Sequence, residues 1–192
     1  MITDQITTIV KKEISPYIHE GYIAVDLTAG NGNDTCFLAE AVGKSGKVYA
    51  FDVQAIAIEN TKRKLEDKQL QDRVSLIHDG HENIGQYINR KINVAMLNLG
   101  YLPSGDKAII TRPETTIIAI NKVIEMLEIG GVMSIVVYYG HDGGVREKDV
   151  VENLLRNLDE KNIDIMTISY LNRKNAAPVI HLLHKRTNLD KF

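Results

Sequence analysis

The chain reads as a single α/β domain over residues 1–192: a mostly parallel sheet with helices on both faces and an antiparallel last strand. Three observations predict this. Short apolar, β-branched runs alternate along the chain with longer stretches of helical periodicity, the pattern of a doubly wound fold. The first such run lies in residues 22–35, YIAVDLTAGNGNDT, where it ends in an acidic residue and turns through Gly30 and Gly32. The last two runs are joined by a polar turn, NRKNAAP, rather than by a crossover helix, which makes them antiparallel neighbours.

Taken in order, Ile2, Ile6, Ile9, Val10, Ile14 and Ile18 recur at helical spacing and predict an amphipathic helix over residues 3–19, with Pro16 near its end. Its apolar face needs cover, either from the chain's own sheet or from a second copy in a homodimer. Residues 22–27 have the nearly continuous apolar character of a strand buried on both faces. Asp34, Thr35, Phe37, Leu38 and Ala39 then take up helical spacing. Strand 2 covers residues 47–53, and residues 55–70 form a helix with Ile56, Ile58 and Leu65 on its inner side. Strand 3 is 74–78, a helical piece follows at 82–87, and strand 4 is 92–97. Residues 114–127 form the next helix, which Gly130 and Gly131 stop before the apolar strand 132–139. A helix over 147–158 and strands 164–171 and 179–184 complete the chain.

Bulk properties narrow the function. A chain of 192 residues holds one sizeable core and leaves little room for a separate recognition domain, so loops must read any substrate. A formal net charge of −2 argues against indiscriminate coating of nucleic acid, although a local basic rim could still hold one RNA hairpin. Cys36 is the sole cysteine, which excludes an intrachain disulfide and a cysteine-based zinc site and suits a reducing cytoplasm. No metal site is expected. The first residues lack the long apolar core of a secretory signal, and no stretch reaches the roughly 18 apolar residues of a membrane span.

The turn at Gly30 and Gly32 is a nucleotide-binding pattern. Glycines admit backbone conformations and close approaches that a Cβ would block, and the helix start offers free N–H donors. About twenty residues further on, strand 2 ends in Asp52, where a carboxylate can accept both hydroxyls of a ribose. A dinucleotide fingerprint needs a third glycine where this chain has Thr35, which counts against a nicotinamide oxidoreductase. No phosphate-binding G-x-x-x-x-G-K-[ST] loop occurs.

DLTAGNGNDT resembles the first motif of class I S-adenosyl-L-methionine-dependent methyltransferases, and Asp52 sits where their ribose-binding acid sits. Residues 98–107 (NLGYLPSGDK), 139–144 (YGHDGG) and 78–81 (HDGH) are similar to signatures of the narrower YtqB/MnmM-type group. The resemblance covers essentially the whole chain. It implies a Rossmann-like, seven-stranded sheet with the last strand inserted antiparallel. The implied activity is N-methylation of the 5-aminomethyl group of (2-thio)uridine at the wobble position of transfer RNA, with the anticodon stem-loop as partner and no membrane. Ribosomal RNA or a small molecule remains open as a substrate on the same fold, as does a non-catalytic RNA-binding module.

In an open α/β sheet the ligand lies outside the carboxyl ends of the strands, where all four marked motifs fall. By resemblance, Gly30 lets the backbone approach the amino-acid end of the cofactor, with Asn31 and Asn33 beside it. Asp52 takes the ribose, Gln54 is adjacent, Asp79 accepts from the adenine amine, and His81 covers the ring or caps a helix. Asp26 is either a further cofactor contact or a structural acceptor for the loop's own amides. Asn98, Leu99, Gly100 and Tyr101 resemble the [DNS]-P-P-[YFW] turn of amino methyltransferases, in which an amide oxygen and a backbone carbonyl accept the target amine's hydrogens and a ring stacks on the base. An alkylamine resembles lysine, with a reference pKa of about 10.4, so it must lose a proton before it can attack. His141 and Asp106 are candidate bases, each with an ordinary reading as strand-end cap and loop residue.

Methylation of a pyrimidine ring carbon needs a cysteine nucleophile, and Cys36 lies within a predicted helix far along the chain from the substrate turn, so nitrogen or oxygen acceptors are favoured. Lys107, Arg112, Arg146, Arg173 and Lys174 fall in loops or element ends on the substrate side, and Tyr139 could stack on a splayed base.

Overall fold

The computed structural model describes residues 5–102, 106, 109–173 and 176–188. Strands β1 (Ile23–Asp26), β2 (Lys47–Phe51), β3 (Val74–Ile77), β4 (Ile92–Leu99), β5 (Leu127–Val137), β6 (Ile163–Ile168) and β7 (Val179–Lys185) form one sheet in the order β3-β2-β1-β4-β5-β7-β6. The first five strands pair in parallel, and β7 is antiparallel to both β5 and β6. Strand order reverses between β1 and β4, so a crevice opens at their carboxyl ends.

Both faces of the sheet are covered, and the alternation of the central strands divides the core. Val94 and Met96 of β4 point to the side packed by α1 (Ile6–Ile14), α2 (Asn33–Ala41) and α3 (Ala55–Asp67), where Val10, Ile14, Leu38 and Leu65 meet them. Ala95, Leu97 and Leu99 point to the other side, against α4 (Ile84–Tyr87), α5 (Pro113–Met126) and α6 (Gly144–Arg156), with Ile84, Ile120, Val123 and Val151. Each such leucine or isoleucine, once fully buried, contributes about 1.5–3 kcal/mol. The apolar face of α1 is spent on its own sheet. Among the described residues, no helix is long and apolar enough to cross a membrane.

Several boundaries differ from the sequence expectation for identifiable reasons. Helix α1 stops at Ile14, and Ser15–Tyr17 form a single 3₁₀ turn, because Pro16 has no N–H with which to continue the ladder. On α3 the buried positions are Ala57, Thr61 and Leu65, whereas Ile56 is exposed. Small residues face inward there because the helix lies close against the glycine turn. Gly130 and Gly131 do not end α5; they sit inside β5, where the register jumps between Ile92↔Leu127 and Val94↔Val132. The last carbonyls of α5 find a different cap. Buried Lys185 at the end of β7 donates through Nζ to Ile124 O and Leu127 O, each at 2.8 Å. Burial, followed by the nearby Lys91 charge, pushes the Lys185 ammonium below its ordinary pKa.

Candidate active site

The glycine turn is built around two carboxylates with different tasks. Asp26, fully buried at the end of β1, accepts the Thr28 N–H at 3.1 Å and the Thr35 hydroxyl at 2.6 Å. Burial first, and the Asp34 charge second, push its pKa up to about 7. It does not line the crevice, so its role as a cofactor contact is corrected to that of the loop's internal acceptor. Thr35 therefore stands at the third-glycine position as a donor to this carboxylate. Gly32 caps α2 at φ +75°, and a Cβ there would fall 3.0 Å from Thr61 Cα. Only glycine allows that backbone and that contact together. The Thr61 hydroxyl also holds Gly30 O, at 3.1 Å.

Asp52 is the second carboxylate. One oxygen accepts the Gly30 N–H and the other the Gln54 N–H, both at 2.9 Å. A carboxylate has about four acceptor positions, so this orientation leaves lone pairs for a diol. Asp52 lines a cavity of about 850 Å³ together with Gly30, Asn31, Asn33, Gln54 and His81. Asn31 accepts from the Asn60 amide at 3.2 Å, and Asn33 Oδ1 accepts from Lys64 Nζ at 2.6 Å, which ties both to α3. Gln54 Oε1 accepts the Asp106 N–H at 3.1 Å.

His81 Nδ1 lies 3.2 Å from Leu27 O, so Nδ1 carries the proton. Nε2 is buried and without a partner among the described residues, and burial lowers the ring's pKa. The ring is thus a neutral one on the cavity wall, with Nε2 sealed from the cavity space. Asp79, in contrast, does not line the cavity. Its oxygens accept the Gly80 N–H at 2.7 Å, the Asn83 amide at 3.0 Å and the Tyr87 hydroxyl at 2.8 Å. Those bonds, the Tyr87 one foremost, hold its pKa below the usual carboxylate range. The adenine contact expected of Asp79 is corrected to a cap on the short helical turn, because three local donors reach it first.

At the other end of the cavity, β4 runs two residues further than expected and carries Asn98 as part of the strand. The Asn98 N–H donates to Thr28 Oγ1 at 2.9 Å, and its side-chain Nδ2 donates to Asp34 at 2.8 Å. Leu99 O accepts the Tyr138 N–H at 3.0 Å and Gly100 O accepts the Thr111 N–H at 2.9 Å. The Leu99 and Gly100 carbonyls thus each already hold one hydrogen. Asn98 Oδ1 is the acceptor of this turn that stays without a partner among the described residues. Gly100 N–H donates to Thr111 Oγ1 at 2.9 Å, and that hydroxyl donates to Glu147 at 2.7 Å. Glu147, 1% exposed in the first turn of α6, also accepts the Thr116 hydroxyl at 2.8 Å. Nothing in local pattern marked this carboxylate: its partners lie more than a helix away in sequence.

The remaining expectations divide. Tyr101 and His141 line the cavity with Asn98, their rings edge to face at 5.9 Å. His141 Nδ1 lies 2.9 Å from Asp142 O, and its Nε2 is buried without a partner among the described residues. Asp106 is exposed and absent from the cavity wall, so it is corrected as a candidate base. Tyr139 packs against the core beneath the Lys148 ammonium, 5.6 Å from its ring, while Tyr138 takes the cavity side. Strand alternation forces that choice. Arg112 lines the cavity mouth. Arg146 pairs with Glu114 at 2.9 Å and Arg173 stacks 3.5 Å over Tyr170, both away from the cavity wall. Lys107 and Lys174 lie outside the described residues. Cys36 is buried in the core beneath α2, away from the substrate turn.

A 3-2-1-4-5-7-6 sheet with an acid-bearing β2, a glycine turn after β1 and a polar turn after β4 defines a class I S-adenosylmethionine-dependent methyltransferase. Within that class the chain belongs to the family described as "Putative rRNA methylase", whose profile matches residues 48–184. It is 37% identical over 181 residues to a chloroplastic tRNA (mnm(5)s(2)U34)-methyltransferase of Arabidopsis thaliana, covering 89% of this chain. The chain spans 66% of that relative's length. Among solved structures, one described as a "putative rRNA-methylase" of Clostridium thermocellum superposes with a TM-score of 0.92 at 44% identity, covering 95% of this chain and 98% of the other. One described as a "putative methyltransferase" of Streptococcus mutans, in complex with SAH, gives a TM-score of 0.87 at 42% identity, covering 95% and 98%.

Proposed function

We propose that this chain N-methylates the 5-aminomethyl group of (2-thio)uridine at the wobble position of transfer RNA, using S-adenosyl-L-methionine. The observation that carries the reading is Asn98. Its oxygen stands unpartnered among the described residues at the end of β4, in the same cavity as the ribose-oriented Asp52. The cavity's lining fits the cofactor: Asp52 for a diol and Gly30 for close backbone approach, with the neutral His81 ring on the same wall. The name of the Arabidopsis relative supports the substrate.

When bound, the cofactor supplies an electrophilic methyl on a sulfonium. The chain's own residues do the positioning, which is where most of the catalysis lies. Asn98 Oδ1 accepts one hydrogen of a neutral amine and so aims its lone pair. Tyr101 and Tyr138 flank the base, and Leu102 and Ile109 exclude water from the reacting atoms. His141, on the cavity wall beside Tyr101, is the candidate base for the proton that the amine must lose. Arg112 at the mouth, with Arg146 and Arg173 beyond it, gives the phosphates of an anticodon loop a cationic rim. This reading places the protein in the cytoplasm with its RNA.

The test offers purified protein and methyl-labelled cofactor to transfer RNA bearing the unmethylated aminomethyl nucleoside, to ribosomal RNA and to free nucleoside. Label recovered in the methylaminomethyl nucleoside of transfer RNA supports the reading. Label in ribosomal RNA alone rejects the substrate, and protection against heating by NAD without protection by the cofactor rejects the class.

A further inference from the structure

A side-chain amide is nearly symmetric in shape, with a donor at one end and an acceptor at the other. The reading of Asn98 requires the oxygen toward the incoming amine, so something must distinguish the two ends. The Asp34 carboxylate does so. It lies 2.8 Å from the outer end of the Asn98 amide, and a carboxylate only accepts, so the group facing it is the NH₂. The oxygen is thereby turned away from Asp34, on a residue that lines the cavity. Asp34 is itself 8% exposed and held from a third element: Lys11 of α1 pairs with it at 2.8 Å and donates to Asn33 O at 3.0 Å. The Asn98 backbone is fixed separately by Thr28. Thr28 thus anchors the Asn98 backbone, and Asp34 sets the polarity of its side chain.

We infer that Asp34 is a positioning residue that sets the polarity of the Asn98 amide, with Lys11 as its counter-ion, so that α1 and α2 together determine which atom meets the acceptor nitrogen. This rests on the proposed amine methylation. If the amide turned over, its NH₂ would face the nucleophile's hydrogens, and the productive geometry would be lost while the cofactor end stayed unchanged. The buried charge is not left alone: Lys11 offsets it, and the pair's cost is shared with the α2 N-terminus, where an acidic group is favoured.

The test compares Asp34→Asn, Asn98→Asp and the double variant with the wild type in methyl transfer to the aminomethyl transfer RNA. Asp34→Asn presents a donor and an acceptor to Asn98 and frees the amide to turn; kcat is expected to fall about thirtyfold, with cofactor Kd within about twofold. Asn98→Asp sets two carboxylates against each other and is expected to be similarly impaired. In the double variant the amide introduced at position 34 donates to the carboxylate introduced at position 98, whose second oxygen again faces the amine, and kcat should recover to above that of either single variant. A merely structural role for Asp34 would not be rescued from position 98. Wild-type kcat in Asp34→Asn, or a double variant no faster than the slower single one, overturns the inference. Cofactor binding by each variant reports that it is folded. A wild type that transfers no methyl to this RNA instead refutes the substrate reading on which the inference stands.

Discussion

The two ends of the cavity are held in different ways. At the cofactor end Asp52 is oriented by backbone, through the Gly30 and Gln54 amides, and the glycine turn is clasped by one helix, α3, through Thr61, Asn60 and Lys64. At the acceptor end the fixing groups are side chains in relay. Lys11, Asp34 and Asn98 form one chain, and Glu147, Thr111 and Gly100 form another. A backbone frame is insensitive to most substitutions and suits a cofactor common to a large class. A side-chain relay can be rewired by single changes, which is what differing methyl acceptors on one fold require.

Substitutions at each end separate the two halves. The largest effect should come from Asn98→Ala, which removes the oriented acceptor: kcat should drop about a hundredfold, with cofactor Kd unchanged in a calorimetric titration. A matching loss of cofactor affinity would break the division. Asp52→Ala should do the reverse. Loss of charged hydrogen bonds worth about 2 kcal/mol should weaken cofactor binding about thirtyfold, while kcat at saturating cofactor changes far less.

Glu147→Gln sharpens the comparison from beneath the acceptor turn. The new amide can accept from only one of Thr111 and Thr116, leaving a buried hydroxyl badly paired at a cost of about 1–3 kcal/mol. The melting temperature should fall about 4 °C and kcat about tenfold, with cofactor Kd again constant.

A last contrast concerns pH and leaves the acceptor end untouched. Because the folded-state pKa of Asp26 is raised to about 7, chiefly by burial, the native protein holds this proton more tightly than the unfolded chain. Its contribution to stability is complete below the ordinary carboxylate range, declines as pH rises, and is gone above about 7. The difference in melting temperature between the wild type and Asp26→Asn should therefore move against the wild type between about pH 4 and 7 and level off above it. An opposite slope would show that Asp26 is ionised in the fold.

Legibility in the sequence followed the same line. Asp52, Gly30 and Asn98 could be placed because each sits at the end of a run whose period declares a strand, and the strand end fixes the position in space. Asp79 shared that location and still went elsewhere, since Asn83 and Tyr87, a few residues on, supply donors that a strand-end rule does not weigh. Tyr138 and Tyr139 could be told apart only by register, because one step along a strand exchanges the two faces. Ile56 was misplaced on α3 for a related reason: apolarity alone did not reveal that the inner face must be small where the helix meets a glycine turn.

From the chain alone came the alternation of strands and helices, the antiparallel final pair, the glycine turn and the acid after β2. These are local properties, written in periods of two and 3.6 residues and in turn chemistry. Tertiary structure decided which carboxylate lines the cavity and which is sealed, which tyrosine enters the cavity, and which end of the Asn98 amide is held by Asp34. Asp34 and Asn98, like Lys185 and the carbonyls of α5, are joined across about sixty residues of chain by hydrogen bonds that no local pattern encodes. Their pairing exists only once the sheet has brought the ends together.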